Sequence, residues 1–433
     1  MRAVKKFPFS LSEDAKSRLL HWAQQFEEVV WLDSNHYSQK HETYQAILAV
    51  DTFTALKTDF HNAFDNLKEY QTVTADWIFG YLSYDLKNDV ERLQSNNFDG
   101  LGFPDLYFFQ PKKLFLFSEN SVEVQYLNMV ADEIEQDWES ISETLQKPDI
   151  SEISKALNID FRTTKAGYIQ KVENVLGHIK RGDIYEANIC QEFYSEDAEI
   201  NPLETFLQLN KISKPPFSAF LKVNTLFALS ASPERYLKRT GNTVISQPIK
   251  GTAKRMENKE ADLKMAQQLA KDPKERSENI MITDLVRNDL SRIAEKGSVT
   301  VDELCAIYTF EQVHQMISTV SCSVPQGFSS VEILRNTYPM GSMTGAPKIS
   351  AMQIIEDTED AKRGLYSGAI GYFTPLGNFD FNVVIRSILY NSKKKYVSFS
   401  VGSAITINSI PENEYEECLL KARAMREVLN KTT

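Results

Sequence analysis

Short runs of apolar residues, in part alternating with polar ones, dominate the first third of the chain and predict β-strands. The clearest are EEVVWLDS, WIFGYLSYDL and DLYFFQPKKLFLFS, which are rich in β-branched and aromatic residues. A helical stretch is expected between them, near TFTALKTDFHNAFDNLKEY. Towards the carboxyl terminus the same pattern predicts strands at SGAIGYF, FNVVIRSILY and YVSFSVGSAIT.

The second half also contains apolar residues at helical spacing. Tyr168, Val172, Leu176 and Ile179 predict one helix, with Gly182 as its stop. Asp272-Pro273, an N-cap followed by proline, predicts the start of KERSENIMITDLVRNDLSRIAEKG, which we expect to end at Gly297. The tail NEYEECLLKARAMREVL predicts a third helix. The pattern indicates an α/β or α+β protein with antiparallel strand pairing.

An acidic, polar segment separates the two halves. VADEIEQDWESISETLQKPDISEISKALNID, residues 130–160, is interpreted as a solvated helix followed by a linker. We therefore expect an amino-terminal region over 1–150 and a catalytic region over 160–433, both belonging to one intertwined body.

Composition excludes several classes of protein. The 433 residues are 42% hydrophobic and have a formal net charge of −11, which argues against a general nucleic-acid or anionic-membrane binder. No apolar run approaches the roughly 18 residues that a membrane span needs. The four cysteines are scattered and form no CxxC pair, so neither a disulfide framework nor a zinc site is expected. The sequence predicts a protein of the reducing cytoplasm.

A lysine at the end of a predicted strand is the first candidate for chemistry. In SASPERYLKRTGNTVISQPIK we expect a hairpin turning at residues 240–242. A three-residue turn places Glu234 opposite Pro248 and on the same face as Lys250, whereas a two-residue turn places them on opposite faces. The pair is then either a surface ion pair or a lysine nucleophile beside a carboxylate acid/base.

Two acidic positions suit a divalent cation. Glu278 shares a helical face with Ile282 and Leu285, and Glu417 belongs to an acidic cluster that opens the last helix. Each is also consistent with a charge preference at a helix N-terminus. Mg²⁺ commonly binds through one or two carboxylates together with its substrate.

Two further features point to an anionic ligand. The loop in YPMGSMTGAPKISAMQIIED offers backbone N–H groups to an anion, although it lacks the phosphate-binding GxxxxGK[ST] pattern. Arg386 is a lone cation in an apolar strand pattern, where it requires a carboxylate partner.

Taken together, the motifs resemble the chorismate-utilising family. They are GDIYEANICQEF, SPERYL, QPIKGT, ENIMITDLVRNDLSRIA, GSMTGAPK, SGAIGYF, VVIRS and EYEECLLKA, in this order. The resemblance implies an α+β fold of two large antiparallel sheets packed as a sandwich, with helices outside. It also implies a Mg²⁺ site and a substrate site. By resemblance, Glu278 and Glu417 hold Mg²⁺, and the substrate meets Gln315, Thr344, Tyr372, Arg386, Gly402 and Lys421.

Lys250 separates the members of this family. Anthranilate synthases resemble PIAGT, with alanine where this chain has lysine. The lysine is typical of the members that aminate chorismate at C4 for 4-aminobenzoate and folate synthesis, a transferase reaction of the transaminase class. There Lys250 is expected to attack ring carbon C2, and Glu234 to serve as acid/base for the departing C4 hydroxyl. The alternatives are an anthranilate synthase component I and an inactive paralogue that serves as a scaffold subunit.

Several positions depart from the family pattern. The string VHQMIST has Gln315 where the family usually has histidine, and His314 is expected to point the other way. Glu186 replaces a glutamine usual in ammonia-using members, and Ser403 and Ala404 replace glycines. In isochorismate and salicylate synthases a lysine that activates water occupies the Glu186 position, so water is not the expected nucleophile.

Ammonia must come from outside the residues of this chain. No GxCxG nucleophile motif surrounds any of its cysteines. We therefore expect free ammonia, or ammonia from a separate glutamine amidotransferase subunit. The segments EVVWLDS and KPPFSAFL correspond to those that build a tryptophan pocket in relatives, and here they are expected to be structural core.

Overall fold

The computed structural model describes residues 1–37, 41, 43–143 and 157–430. Over these residues the α-helices are α1 Glu13–Ala23, α2 Ala63–Thr74, α3 Lys87–Val90, α4 Ile134–Glu143, α5 Lys165–Arg181, α6 Pro202–Ser213, α7 Lys259–Lys271, α8 Pro273–Ser291, α9 Ser330–Thr337, α10 Lys348–Thr358 and α11 Pro411–Asn430. The strands are β1 Arg2–Pro8, β2 Glu28–Asp33, β3 Ala46–Thr58, β4 Ile78–Leu82, β5 Leu106–Ser118, β6 Ser121–Leu127, β7 Asp160–Phe161, β8 Glu186–Ser195, β9 Phe217–Val223, β10 Leu226–Ser232, β11 Arg235–Thr240, β12 Thr243–Gln247, β13 Ile249–Lys254, β14 Thr300–Thr309, β15 Val313–Ser323, β16 Gly345–Ala346, β17 Ala369–Phe373, β18 Phe379–Val383, β19 Ser387–Asn391 and β20 Tyr396–Ile405.

The strands form two antiparallel layers that share their longest members. One layer runs β1–β6–β5–β3–β2–β9–β10–β19–β20–β8, with β7 and β16 paired to β8. The other runs β3–β5–β4–β17–β18–β11–β12–β15, with β13 and β14 also paired to β15. The strands β3 and β5 enter both layers, and their pairing has a register shift between Thr52 and Thr54, where β3 carries one extra residue. Such a bulge bends a strand so that it can continue into a second sheet.

Two apolar clusters hold the layers in place. One lies between the sheets and includes Ile47, Phe108 and Phe381, with α2, α8 and α9 packed at its margin. The other fills the space between the outer face of the first sheet and helices α1, α5, α6 and α11. The predicted α+β sandwich with helices outside is confirmed.

Most of the predicted elements are present, with three corrections. TFTALKT belongs to β3, and only the residues from Ala63 onward form α2. Helix α8 ends at Ser291, before the predicted Gly297. FNVVIRSILY is two strands, and Arg386 lies between them with a φ of +53°. Arg386 is therefore not a strand residue, and its left-handed backbone is a conformation that few non-glycine residues adopt.

The two predicted regions pair with each other through their strands. β2 pairs with β9, and β4 pairs with β17. The acidic segment forms α4 at its start, whereas residues 144–156 of the predicted linker lie outside the described residues. Among the helices that the structure describes, none combines the length and apolarity needed to cross a bilayer.

The hairpin before Lys250 differs from its predicted register. Thr240 pairs with Thr243, so the turn contains two residues rather than three. A bulge in β11 then shifts the register by one residue between Lys238 and Arg235. The bulge adds a residue on the Glu234 side and thus restores the pairing parity that the longer turn would have given.

Candidate active site

Lys250 lies in a second bulge, near the start of β13. Ile249 pairs with Ile317 and Thr252 with Gln315, so Lys250 and Gly251 together stand opposite Met316. Gly251 has a φ of +88°, and a Cβ there would come within 3.1 Å of Glu275 and 3.3 Å of Met316. Glycine is favoured at this position because the backbone has a positive φ and because a side chain would have little room. Lys250 was predicted to close a strand, but it is held inside one, at a kink.

Carboxylates surround the Lys250 amine. Its Nζ lies 3.4 Å from Oε1 of Glu186, whose side chain is only 1% exposed. The lysine charge also acts on four further carboxyl groups, Glu234, Glu275, Glu278 and Glu417. We call these five residues the carboxylate cluster. The structure thus brings together Lys250, Glu234, Glu278 and Glu417, which the sequence placed in one site.

The cluster controls the protonation of Lys250. Burial lowers the pKa of Lys250, but the charges of the cluster outweigh this effect, so its pKa lies above the ordinary value. The strongest of these charges is that of Glu186, which also accepts a hydrogen bond from the amine. In the absence of ligand, Lys250 is therefore an ammonium group that must lose a proton before it can act as a nucleophile.

Glu234 and Glu278 are both unusually weak acids. Burial raises the pKa of Glu234 to about 7, against the opposing effects of Ser342 and Lys250. Burial likewise raises the pKa of Glu278 to about 7, although Lys250 and Lys274 oppose it. A carboxyl group with a pKa near neutrality can deliver a proton at physiological pH.

Glu278 and Glu417, the predicted Mg²⁺ ligands, lie on α8 and α11. Glu278 has one close cationic partner, Lys274 at 3.9 Å, and Glu417 has Lys421 at 2.7 Å. The pKa of Lys274 is raised, because the negative charges around it outweigh the effect of burial. These charges belong to Glu275, Glu278, Glu414 and Glu417. Within the described residues no group of three or more ligating side chains is assembled. A Mg²⁺ site at Glu278 and Glu417 therefore stays a prediction, although Mg²⁺ can bind through as few as two carboxylates.

A cavity of about 210 Å³ opens beside the cluster and collects other predicted residues. Gln315, Arg386 and Lys421 line it, together with Thr252 from the strand that carries Lys250. Gln315 is 7% exposed, and its Oε1 accepts no hydrogen bond from the residues that the structure describes. His314 points the other way, as predicted, and contacts Asp262 at 2.9 Å. We call this space the main cavity.

Arg386 and Lys421 are fixed by backbone contacts. Arg386 donates from Nη1 to the Lys421 carbonyl at 3.3 Å, and Lys421 donates from Nζ to the Gly402 carbonyl at 2.8 Å. Burial lowers the pKa of Arg386, whose paired charges are too few to offset it. A buried cation whose charge is only partly compensated favours an anionic ligand, such as a carboxylate.

Two predicted substrate residues lie elsewhere. Thr344 is fully buried, and its hydroxyl donates to the Gly341 carbonyl at 3.1 Å. Tyr372 packs against Trp77 and Phe79 and lines a different cavity, of about 80 Å³. The tyrosine that lies near Arg386 is Tyr366, whose pKa burial raises well above its usual value. Sequence reasoning missed Tyr366, although it stands only three residues before the strand that the SGAIGYF motif marks.

The second cavity also changes one expectation about the amino-terminal half. Val29, Val30 and Trp31 are buried core, as expected. Ser34 of EVVWLDS and Phe217 of KPPFSAFL instead line the cavity that contains Tyr372. The segments are thus partly core and partly the wall of a second pocket.

Comparison with known proteins agrees with the motifs and the fold. The model of the chorismate binding enzyme family matches residues 12–427. Aminodeoxychorismate synthase component 1 of Bacillus subtilis is 32% identical over 365 residues, which are 81% of this chain and 76% of that protein. Anthranilate synthase component 1 of Thermus thermophilus is also 32% identical, over 80% of this chain and 76% of its own length. The crystal structure of anthranilate synthase component I from Streptococcus pneumoniae superposes with a TM-score of 0.76 at 25% identity, covering 90% of this chain and 95% of that one. The chain belongs to the chorismate binding enzyme family.

Proposed function

We propose that this protein aminates chorismate at C4, the reaction of an aminodeoxychorismate synthase component I. The observation that supports this proposal is Lys250, held in a bulge with Glu186 on one side and Glu234 nearby. An alanine in its place would leave no nucleophile at this position. The named relatives include both aminodeoxychorismate and anthranilate synthases, so the choice between the two reactions depends on this lysine.

The residues of the site account for each proton and bond. Glu186 takes a proton from Lys250, and the free amine attacks ring carbon C2. The two conjugated ring double bonds shift to C1=C6 and C4=C5 and the C4–O bond breaks, while Glu234 donates its proton so that the hydroxyl leaves as water. Ammonia then attacks C4, both double bonds return to their first positions and the C2–N bond to Lys250 breaks. The protons return to Glu234 and Lys250, and the net reaction exchanges hydroxyl for amine.

The main cavity binds the rest of the substrate in this proposal. Arg386 and Lys421 supply positive charge for a carboxylate, and Gln315 supplies an amide whose oxygen is free. Gln315 can orient a ligand but cannot donate a proton as an acid. The proton for the leaving hydroxyl is therefore assigned to Glu234 alone.

Glu278 and Glu417 are proposed to hold Mg²⁺. When bound, the ion supplies positive charge that neutralises a substrate carboxylate next to the carboxylate cluster. When no ion is bound, Lys274 supplies positive charge near both carboxylates.

Ammonia is proposed to come from a separate glutamine amidotransferase subunit, or from solution. All four cysteines of this chain are buried, and burial raises the pKa of Cys190 to about 12. A buried, protonated thiol is a poor nucleophile for glutamine hydrolysis. We expect no turnover with glutamine alone and restored turnover with concentrated ammonium at alkaline pH.

The deciding experiment follows the product and the covalent adduct. Purified protein is incubated with chorismate, Mg²⁺ and ammonium, and the products are identified by mass spectrometry. We expect 4-amino-4-deoxychorismate, and in quenched samples an adduct on the peptide that contains Lys250. Lys250→Ala should remove the adduct and lower C4 amination by roughly 10²-fold, the effect of losing about 3 kcal/mol of covalent catalysis.

The matched control is Lys254→Ala, an exposed lysine on the same strand. It should leave both the adduct and the rate unchanged. Anthranilate as the main product of the unaltered protein would show an anthranilate synthase instead. Chorismate binding without any product would indicate a scaffold subunit.

A further inference from the structure

A third, very small cavity lies behind Glu234. Its volume is about 10 Å³, and its wall includes Glu234, Ser246, Asp289 and Ser342. This volume is about that of one water-sized sphere, the minimum needed to hold a single water molecule. The cavity is separate from the main cavity, and no residue lines both.

Two buried polar atoms on this wall make no hydrogen bond of good geometry to any residue that the structure describes. They are Oδ1 of Asp289 and Oγ of Ser342, on residues that are 4% and 6% exposed. Unsatisfied polar atoms are rare in protein interiors and each costs roughly 1–3 kcal/mol. That two of them border the same water-sized space, beside a buried carboxyl group, indicates a common partner.

The other oxygen of Asp289 is firmly engaged. Oδ2 accepts a hydrogen bond from Lys348 Nζ at 2.6 Å, and the same amine donates to the carbonyls of Thr337 and Pro339 at 3.1 and 2.9 Å. The Asp289–Lys348 ion pair is thus a fixed acceptor whose orientation is set by α8 and α10. Only Oδ1 remains available towards Glu234.

We propose that one water molecule occupies this cavity and links the Glu234 carboxyl group to Asp289 and Ser342. The water donates one hydrogen bond to Asp289 Oδ1 and one to Glu234, and it accepts one from the Ser342 hydroxyl. Asp289 and Ser342 are then positioning residues for Glu234. They act on the carboxylate that forms when Glu234 gives up its proton, which would otherwise be buried without solvation.

This inference extends the proposed function, since Glu234 is the proton donor there. The charged groups around Glu234 are Lys250 from β13, Arg235 from β11, which is paired with Asp380, and the Asp289–Lys348 pair. Ser342 already lowers the pKa of Glu234 as a hydrogen-bond donor, although no hydrogen bond of good geometry joins the two side chains, and this agrees with a link through a molecule between them. Among the described residues no hydrogen bond or ion pair joins Asp289 to Glu234, so a hydrogen-bonded link between them needs a bridging molecule.

The test is an infrared titration of the Glu234 carboxyl group without substrate. The Glu234 band is identified as the one that Glu234→Gln removes. Ser342→Ala should raise the Glu234 pKa by about one unit, because the carboxylate loses a donor. Ser246→Ala is the matched control, since the Ser246 hydroxyl already donates to the Tyr236 carbonyl at 2.8 Å, and it should leave the pKa unchanged.

A crystal structure provides the second measurement. It should show an ordered water within hydrogen-bond distance of Ser342 Oγ and Asp289 Oδ1. Well-ordered side chains with no water between them, or an unchanged Glu234 pKa in a folded Ser342→Ala variant, would overturn the proposal. Neither measurement requires turnover, so failure here is distinct from failure of the amination reaction. Thermal unfolding of each variant establishes that it is folded.

Discussion

Lys250 Nζ lies 3.4 Å from Oε1 of Glu186, and the other oxygen of that carboxylate accepts no hydrogen bond. The pair is almost completely shielded, with side chains 14% and 1% exposed. A buried amine beside a buried carboxylate stays protonated unless something removes the proton. This contact is therefore the strongest single charge interaction that opposes the loss of a proton from Lys250.

Glu186→Gln should lower the pKa of Lys250, because it removes the strongest of the negative charges that raise it. The measurement is the pH dependence of Lys250 labelling by an amine-selective reagent, followed by peptide mapping. The labelling midpoint should move to lower pH, while the exposed Lys254 in the same sample should be unaffected. An unchanged midpoint for Lys250 would mean that Glu186 does not control its protonation.

Glu278→Gln should abolish the response to Mg²⁺ without unfolding the protein. In the unaltered chain, Mg²⁺ with chorismate is expected to raise the thermal midpoint, because a bound ligand stabilises the folded state. Exchange of a carboxylate for an amide removes the charge that a hard cation prefers. Glu295→Gln, at an exposed position beyond the end of α8, is the control and should retain the response. A full response in Glu278→Gln would remove Glu278 from the metal site.

The two cavities predict different results for two substitutions. Arg386→Gln should raise KM for chorismate roughly 10- to 100-fold, the range expected for loss of a charged hydrogen bond. Tyr372→Phe should leave KM unchanged, since Tyr372 faces the second cavity. Steady-state kinetics with ammonium tests both. A large rise in KM for Tyr372→Phe would mean that Tyr372 contacts the substrate, as the family resemblance implies, although it lines the second cavity.

The sequence predicted Lys250, Glu234, Glu278 and Glu417 as site residues from their charges in local motifs and from the family resemblance, and the structure places the three acids where the charge of Lys250 acts on them. The sequence does not determine which residues face each other in neighbouring strands. The turn before Lys250 is one residue shorter than expected, and a bulge at Tyr236–Leu237 compensates for it. Both depend on pairing with distant strands, which local spacing does not encode.

The place of Tyr372 in the second cavity has the same origin. Tyr366 precedes β17 and Tyr372 lies within it, and a motif alone does not tell which one is near Arg386. Pairing of β17 with β4 and β18 turns Ile370 and Tyr372 to the second cavity. The fold class was predictable because it depends on the total pattern of strands and helices, which tolerates such local errors.

Gly402→Ala should destabilise the protein and weaken the hold on Lys421. A Cβ at this position would lie 2.6 Å from both Asn188 Oδ1 and Cys190 Sγ, closer than packed atoms allow. Overpacking of this kind costs about 1–3 kcal/mol. Gly177→Ala is the control in helix α5, where the nearest atom is 3.6 Å away, and it should stabilise by up to about 1 kcal/mol. Urea unfolding measures both, and equal stability of the two variants would contradict the packing argument.

Glu234→Gln should separate activity from stability. Amination should fall by roughly 10²-fold or more, because an amide cannot donate the proton that the leaving hydroxyl needs. In the unaltered chain, adduct formation should decline as the pH rises through about 7, where Glu234 loses its proton.

The same substitution, which lowers activity, should raise the free energy of unfolding at pH values near 8. The pKa of Glu234 rises from 4.5 to about 7 on folding, so the folded state holds a proton that the unfolded state releases between these values. Stability from this group is therefore lost as the pH rises from about 4.5 to 7, by at most on the order of 3 kcal/mol. Glu234→Gln escapes this loss and should be more stable than the unaltered chain at pH values near 8, but not near 4. Urea unfolding at both pH values decides the matter, and a variant that is less stable at the higher pH would show that the Glu234 carboxylate is well solvated in the folded protein.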